Sequence, residues 1–199
     1  MKLSIYNNNN NVLLTSFLDQ LSTFGWKGTV TAAASAEESI IIDSESIISV
    51  KDYLTKHTYM SYDQVEQMIL HLGNQLFILS ENKLGLLFFS LDDIIIIDEI
   101  YFFISDLKHM VPMNKKEQLC LNFPLKMEGE DMFLSPELLN VTTLPIITTI
   151  TSTYYSLALL CIRCLALRPS AVTIKHTKMY YFLERCLQTD PNERYFLYL

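Results

Sequence analysis

The chain has 199 residues, of which 50% are apolar and 19% charged, with a formal net charge of −7. That is long enough for one well-packed domain. The acidic balance excludes a phosphate-backbone partner, because neutralising phosphates needs a clustered basic surface, and Lys115-Lys116 and the scatter from Lys175 to Lys178 are too small to make one.

In chain order, Met1 to Asn11 holds one lysine and then a run of Asn. It has no apolar stretch of the secretory kind, and the low-complexity run Asn7 to Asn11 reads as a solvated arm or loop. Val12, Leu13, Phe17, Leu18 and Leu21 recur at near-helical spacing, so a helix is expected there. Gly28 to Ala34 and Ser39 to Asp43 read as strands. From Met60 to Leu79 the positions Val65, Met68, Ile69, Leu72, Leu76 and Leu79 share one face at steps of three and four, which predicts a long amphipathic helix with Ser61 as its N-cap. Ile94 to Ile97 and Tyr101 to Ile104 are apolar runs separated by Asp98-Glu99-Ile100, the pattern of a hairpin. A loop containing proline and charges follows from Met110 to Asp131, then helices to the end. The uncharged run from Leu138 to Ile162 is long enough for a bilayer core. Pro145 and the many Thr and Ser oppose a span, and a central helix buried on all sides is the better account.

Local signatures of chemistry are few. Cys161 and Cys164 form a Cys-x-x-Cys, but no second knuckle completes a zinc site. With Cys120 and Cys186 they read as reduced thiols of a cytoplasmic protein, those on the apolar helix being small buried hydrophobes. Asp92, Asp93, Asp98 and Glu99 surround the hairpin, yet alternate strand residues face opposite sides, and acidic residues commonly end a hairpin in water. His57, His71, His109 and His176 have no mutual spacing suited to metal or base chemistry. No Gly-x-Ser-x-Gly elbow is present.

Two segments carry a resemblance. Leu183-Glu184-Arg185-Cys186-Leu187-Gln188-Thr189-Asp190-Pro191-Asn192-Glu193-Arg194 follows Phe133-Leu134-Ser135-Pro136-Glu137-Leu138 by about sixty residues. Together they resemble the C-terminal lobe of a eukaryotic-type protein kinase. In that family the Glu of a Pro-Glu dipeptide forms a buried ion pair with the Arg that ends an Asp-Pro-x-x-Arg run, so the resemblance implies a structural pair between Glu137 and Arg194. Tyr155-Ser156-Leu157-Ala158 is similar to the family's Trp-Ser-Leu-Gly segment, with Thr153 in place of the usual Asp. Phe89 to Asp98 resembles the catalytic loop and the strand after it. The catalytic Asp would fall near Phe89 or Ser90 and the metal-binding Asn at Ile94, and phenylalanine and isoleucine supply neither a proton acceptor nor an oxygen ligand. Asp106 remains as a degenerate candidate for the metal-binding Asp. Ile47 to Leu54 looks like the first helix after the kinase hinge, and neither a glycine-rich loop nor an ATP-holding lysine precedes Val12.

The resemblance implies an α+β, mainly α fold: a kinase-like helical C-terminal lobe over 46–199, and a reduced N-lobe remnant, a helix plus two or three strands, over 1–45. It implies a pseudokinase, a catalytically inactive scaffold or binding module of the kind found in large cytoplasmic DNA viruses. No catalytic residue, cofactor or metal is expected. An active or residual serine/threonine kinase and a structural viral component are the alternatives. A protein partner or a homodimer is expected, with neither nucleic acid nor membrane, in the cytoplasm, or in the host cytoplasm for a viral protein. The missing first strands would leave an open sheet edge and an apolar face, which makes Phe17 and Leu18 the candidate interface residues.

Overall fold

A computed structural model describes residues 1–6, 11–32, 39–122, 124, 132–166 and 174–197. The N-terminal sheet is β1 (Lys2–Tyr6), β2 (Thr29–Ala32) and β3 (Ser39–Asp43), with β3 in the centre and both neighbours antiparallel. Between β1 and β2 runs α1 (Asn11–Thr23), which buries Leu14, Phe17, Leu18 and Leu21. Gly25, at φ 102°, turns the chain so that the Trp26 N–H reaches the Leu21 carbonyl, and Trp26 seals this end of the core.

Next, β4 (Ile47–Ser49) leads directly into α2 (Val50–His57), where the Ser49 hydroxyl accepts from the Asp52 N–H as an N-cap. The long α3 (Tyr62–Glu81) starts at a capping box: the Gln64 N–H donates to the Ser61 hydroxyl, and the Ser61 N–H donates to the Gln64 side chain. Five short strands follow, β5 (Leu84–Leu86), β6 (Phe89–Ser90), β7 (Ile94–Ile97), β8 (Tyr101–Ile104) and β9 (Met110–Pro112), then β10 (Gln118–Leu121) and β11 (Met132–Phe133). The chain closes with α4 (Pro136–Leu139), β12 (Ile146–Thr149), α5 (Thr151–Cys164) and α6 (Lys178–Cys186). A 3-10 turn over Pro191–Glu193 delivers Arg194.

The remaining strands form the three-stranded sheet β4-β7-β8 and the antiparallel pairs β5-β9, β6-β11 and β10-β12. One hydrophobic cluster runs from Ile5 through α1, α3, β7, β8 and α5 to Cys186. A smaller one, containing Phe88, Leu119, Leu138 and Ile146, lies under β10 and β12.

This architecture corrects the expectation of a mainly α, kinase-like fold with its strands confined to an N-lobe remnant. The described residues form a mixed α/β structure of six α-helices and five small antiparallel sheets, and nine of the twelve strands begin after residue 45. The cause is local in each case. Ile47 and Ile48, expected to open a helix, pair with Ile97 and Ile96, because β-branched residues suit a pleated ladder and Ser49 stops the strand by capping α2. Lys2–Tyr6, for which no strand was expected, pairs along the whole of β3; of the expected solvated arm, Asn7 to Asn10 lie outside the described residues and Asn11 begins α1. The expected loop from Met110 contains β9 and β10. Of the predicted helix face over 12–21, Val12 points to solvent and Leu14 takes its place inside. Ala33 and Ala34 of the expected second strand lie outside the described residues. Among the described residues no helix is long and apolar enough to cross a membrane.

Phe17 and Leu18 are corrected as interface residues. Both are fully buried in the chain's own core, where Phe17 meets Phe103 edge-on at 6.3 Å between ring centroids. The apolar face of α1 is covered by α3 and β8, whereas β1 pairs with β3, so that among the described residues no strand lies along the outer edge of β2.

Candidate functional site

Ser135 and Pro136 open the single turn of α4, which carries Glu137 toward the start of α5. From the other side, the 3-10 turn brings in Arg194, whose Nη1 and Nη2 donate to Glu137 Oε1 and Oε2 at 2.7 and 3.0 Å. The remaining N–H groups are also used. Nε donates to the Gln188 carbonyl at 2.6 Å, Nη2 to the Thr189 carbonyl at 2.9 Å and Nη1 to the Thr151 carbonyl at 3.5 Å. The guanidinium is completely buried, with its carbon 4.7 Å from the centre of the Tyr155 ring. The Ser152 hydroxyl donates to Glu137 Oε1 at 2.6 Å and is itself bonded to Thr148. Burial raises the Glu137 carboxyl pKa, but the hydrogen bonds from Arg194 and Ser152 outweigh it and hold the group below its ordinary value. This constellation fastens α4, α5 and the C-terminal segment together.

The second constellation lies where the hairpin β7-β8 begins and ends. Phe89 and Ile94 are fully buried, and the Phe89 N–H donates to Ser156 Oγ at 2.7 Å. Neither residue offers an oxygen for a proton or a cation. Asp93 does, and it is 2% exposed. Its Oδ2 accepts from the Ser90 N–H at 3.0 Å and its Oδ1 from Lys108 Nζ at 2.6 Å. The same ammonium lies 3.2 Å from Asp106 Oδ2, while Asp106 Oδ1 accepts the Lys108 N–H. A lysine therefore occupies the space between the two carboxylates that a divalent cation would have to take. Burial pulls the Lys108 pKa down, and the hydrogen bond and charge of Asp93 outweigh it, so the pKa is raised and the ammonium persists. His109 beside it stacks on Phe88 at 4.1 Å, and burial lowers its pKa.

Asp92 pairs instead with Lys51, and Asp98 accepts from the Ser44 hydroxyl and the Ser46 N–H, so the acidic residues around the hairpin do not converge. Among the described residues no group of three or more His, Cys, Asp or Glu could hold a metal ion. All four cysteines are free, and burial pushes the Cys164 and Cys186 thiols up to about 12, a range in which thiolate chemistry is suppressed.

Sequence reasoning missed Lys108 and also a pair on α3. Gln75 and His71 lie on the buried face of α3 against β8, the edge strand of its sheet. Gln75 Nε2 donates to the Phe102 carbonyl at 2.8 Å, Gln75 Oε1 accepts from the Ile104 N–H at 2.8 Å, and His71 Nδ1 accepts from the Phe102 N–H at 3.3 Å. The available signal was two polar residues, four apart, inside the apolar stripe of a helix. The chain matches no protein-family model and no curated protein.

Proposed function

We propose that this protein is a non-catalytic binding module of the pseudokinase kind. The observation that carries the reading is the Lys108 ammonium held 2.6 Å from Asp93 and 3.2 Å from Asp106. Phosphoryl transfer depends on cations that neutralise the phosphates and on a carboxylate that accepts the substrate proton. Here the buried carboxylate is neutralised by the protein's own cation, and the adjoining positions are Phe89 and Ile94. The Glu137–Arg194 clasp supports the resemblance locally while contributing only rigidity.

Calorimetric titration with magnesium-ATP tests the reading, together with a phosphate-incorporation assay on a generic protein substrate. No stoichiometric heat and no incorporation are expected. Saturable binding at one site per chain, or incorporation that Asp106→Ala abolishes, would overturn it.

A further inference from the structure

Gly73 stands in the interior of α3, where glycine weakens a helix. The space it leaves is filled by the ring of Phe196, and a Cβ at position 73 would run into that ring. The same ring meets Phe182 edge-on at 5.6 Å and Tyr154 at 5.5 Å between centroids, so α3, α5 and α6 together form a seat for one aromatic side chain. On either side of this knob, Tyr195 and Leu197 are 53% and 42% exposed. Among the described residues no backbone–backbone hydrogen bond reaches 195–197. The other ties come from α6. Arg185 Nη2 donates to the Leu197 carbonyl, the guanidinium carbon lies 5.3 Å from the centre of the Tyr195 ring, and Cys186 Sγ donates to the Tyr195 carbonyl at 3.7 Å.

We propose that residues 195–197 form a releasable strap, rooted at Arg194 and latched by Phe196, which lifts from α3 and α6 while the domain stays folded and thereby uncovers the Cys186 thiol. The contrast between root and strap carries this. Arg194 is buried and bonded to Glu137 and to the carbonyls of Thr151, Gln188 and Thr189, so the pivot is fixed. Beyond it, one seated ring and the side chains of two neighbouring residues of α6 are the ties. Opening a segment costs only the contacts it breaks, and a segment without backbone pairing belongs to the low-stability end of a fold. Cys186 is fully buried, with the Tyr195 carbonyl against its sulfur. Lifting the strap removes that cover and leaves the positive charges of Arg185 and Arg194 beside a thiol that burial had kept protonated. The strap is independent of the binding-module reading, since neither Lys108 nor Asp93 takes part in it.

Labelling of the full chain with N-ethylmaleimide at low urea concentrations, read peptide by peptide by mass spectrometry, tests the proposal. Cys120→Ser first removes the partly exposed thiol and leaves the three buried ones. Cys186 is expected to label faster than Cys161 and Cys164, at a rate nearly independent of urea, because lifting a strap exposes little surface; the other two wait for global unfolding, which urea promotes. Gly73→Ala sets a methyl group against the Phe196 ring while favouring α3 as a helix, and should speed Cys186 labelling by about tenfold or more without speeding that of Cys161. Should that variant fail to fold, Phe196→Ala, which removes the latch, is expected to act in the same direction. Cys186 labelling no faster than Cys161 and with the same urea dependence overturns the proposal, and so does a Cys186 rate that the folded latch variant leaves unchanged.

Discussion

The Arg194 guanidinium is satisfied on every nitrogen and stacked on Tyr155, so its contribution is best read from what its removal strands. Without Arg194, the Glu137 carboxylate and three backbone carbonyls lose their donor in a closed space. Arg194→Ala should therefore cost about 3–5 kcal/mol in urea unfolding. Glu137→Ala should cost a similar amount, because it strands the fully buried Arg194 guanidinium, which keeps only backbone carbonyl acceptors. Equal stability of either variant and wild type would contradict a structural role for the clasp. Acid acts on this pair and on His71 in different windows. The lowered Glu137 pKa makes its contribution complete above the ordinary carboxylate range and lost as pH falls through the folded value. His71 is buried among Phe24, Tyr101 and Phe102, and burial lowers its pKa from 6.5 to about 4. The unfolded chain takes up that proton first, so stability should fall as pH drops from 6.5 to about 4, by about 3 kcal/mol in all. His71→Asn keeps an acceptor for the Phe102 N–H and should flatten the urea midpoint across this window.

At the scale of elements, α3 is held to β8 by side-chain bonds that take the place of a neighbouring strand. Gln75→Leu would leave the Phe102 carbonyl and the Ile104 N–H buried without partners, which should cost about 2–6 kcal/mol at about 1–3 per group. Amide exchange at Ile104 should quicken more than exchange at Ile96 in the neighbouring strand; equal protection would show that Gln75 does not guard the edge. The body of α3, its Ser61 cap and the β7-β8 hairpin were legible in the sequence, because helical period and tight turns are local signals. The strands β1, β4, β10 and β12 were not. Each has three to five residues, and each pairs with a strand roughly thirty to fifty residues away, as Ile47 does with Ile97 and Leu119 with Thr148. Composition shows a residue's preference for a ladder but never its partner. The candidate sites divide in the same way. Glu137 and Arg194 were named through the resemblance, whereas Lys108 meets its buried partner Asp93 only once the hairpin folds back.

At the scale of the molecule, the larger core joins residues on both sides of position 46. Phe17 of α1 touches Phe103 of β8, and the Trp26 indole donates to Ser44 Oγ, whose hydroxyl donates to Asp98 in the turn between β7 and β8. A boundary between independently stable units would leave such contacts few and polar; here the contact surface is the main hydrophobic cluster itself. The single tryptophan makes this testable, since Trp26 fluorescence reports the N-terminal sheet and far-ultraviolet dichroism is dominated by α3 and α5. The two signals should give one coincident urea transition. Phe17→Ala removes a fully buried ring and should lower the stability read by both probes equally, by about 3–5 kcal/mol. Replacing Phe17 and Leu18 together by Glu should unfold α3 and α5 along with α1, rather than release a partner from a folded chain. A fluorescence transition that moves while the dichroism transition stays would show the N-terminal sheet to be a separate unit docked on a self-sufficient remainder.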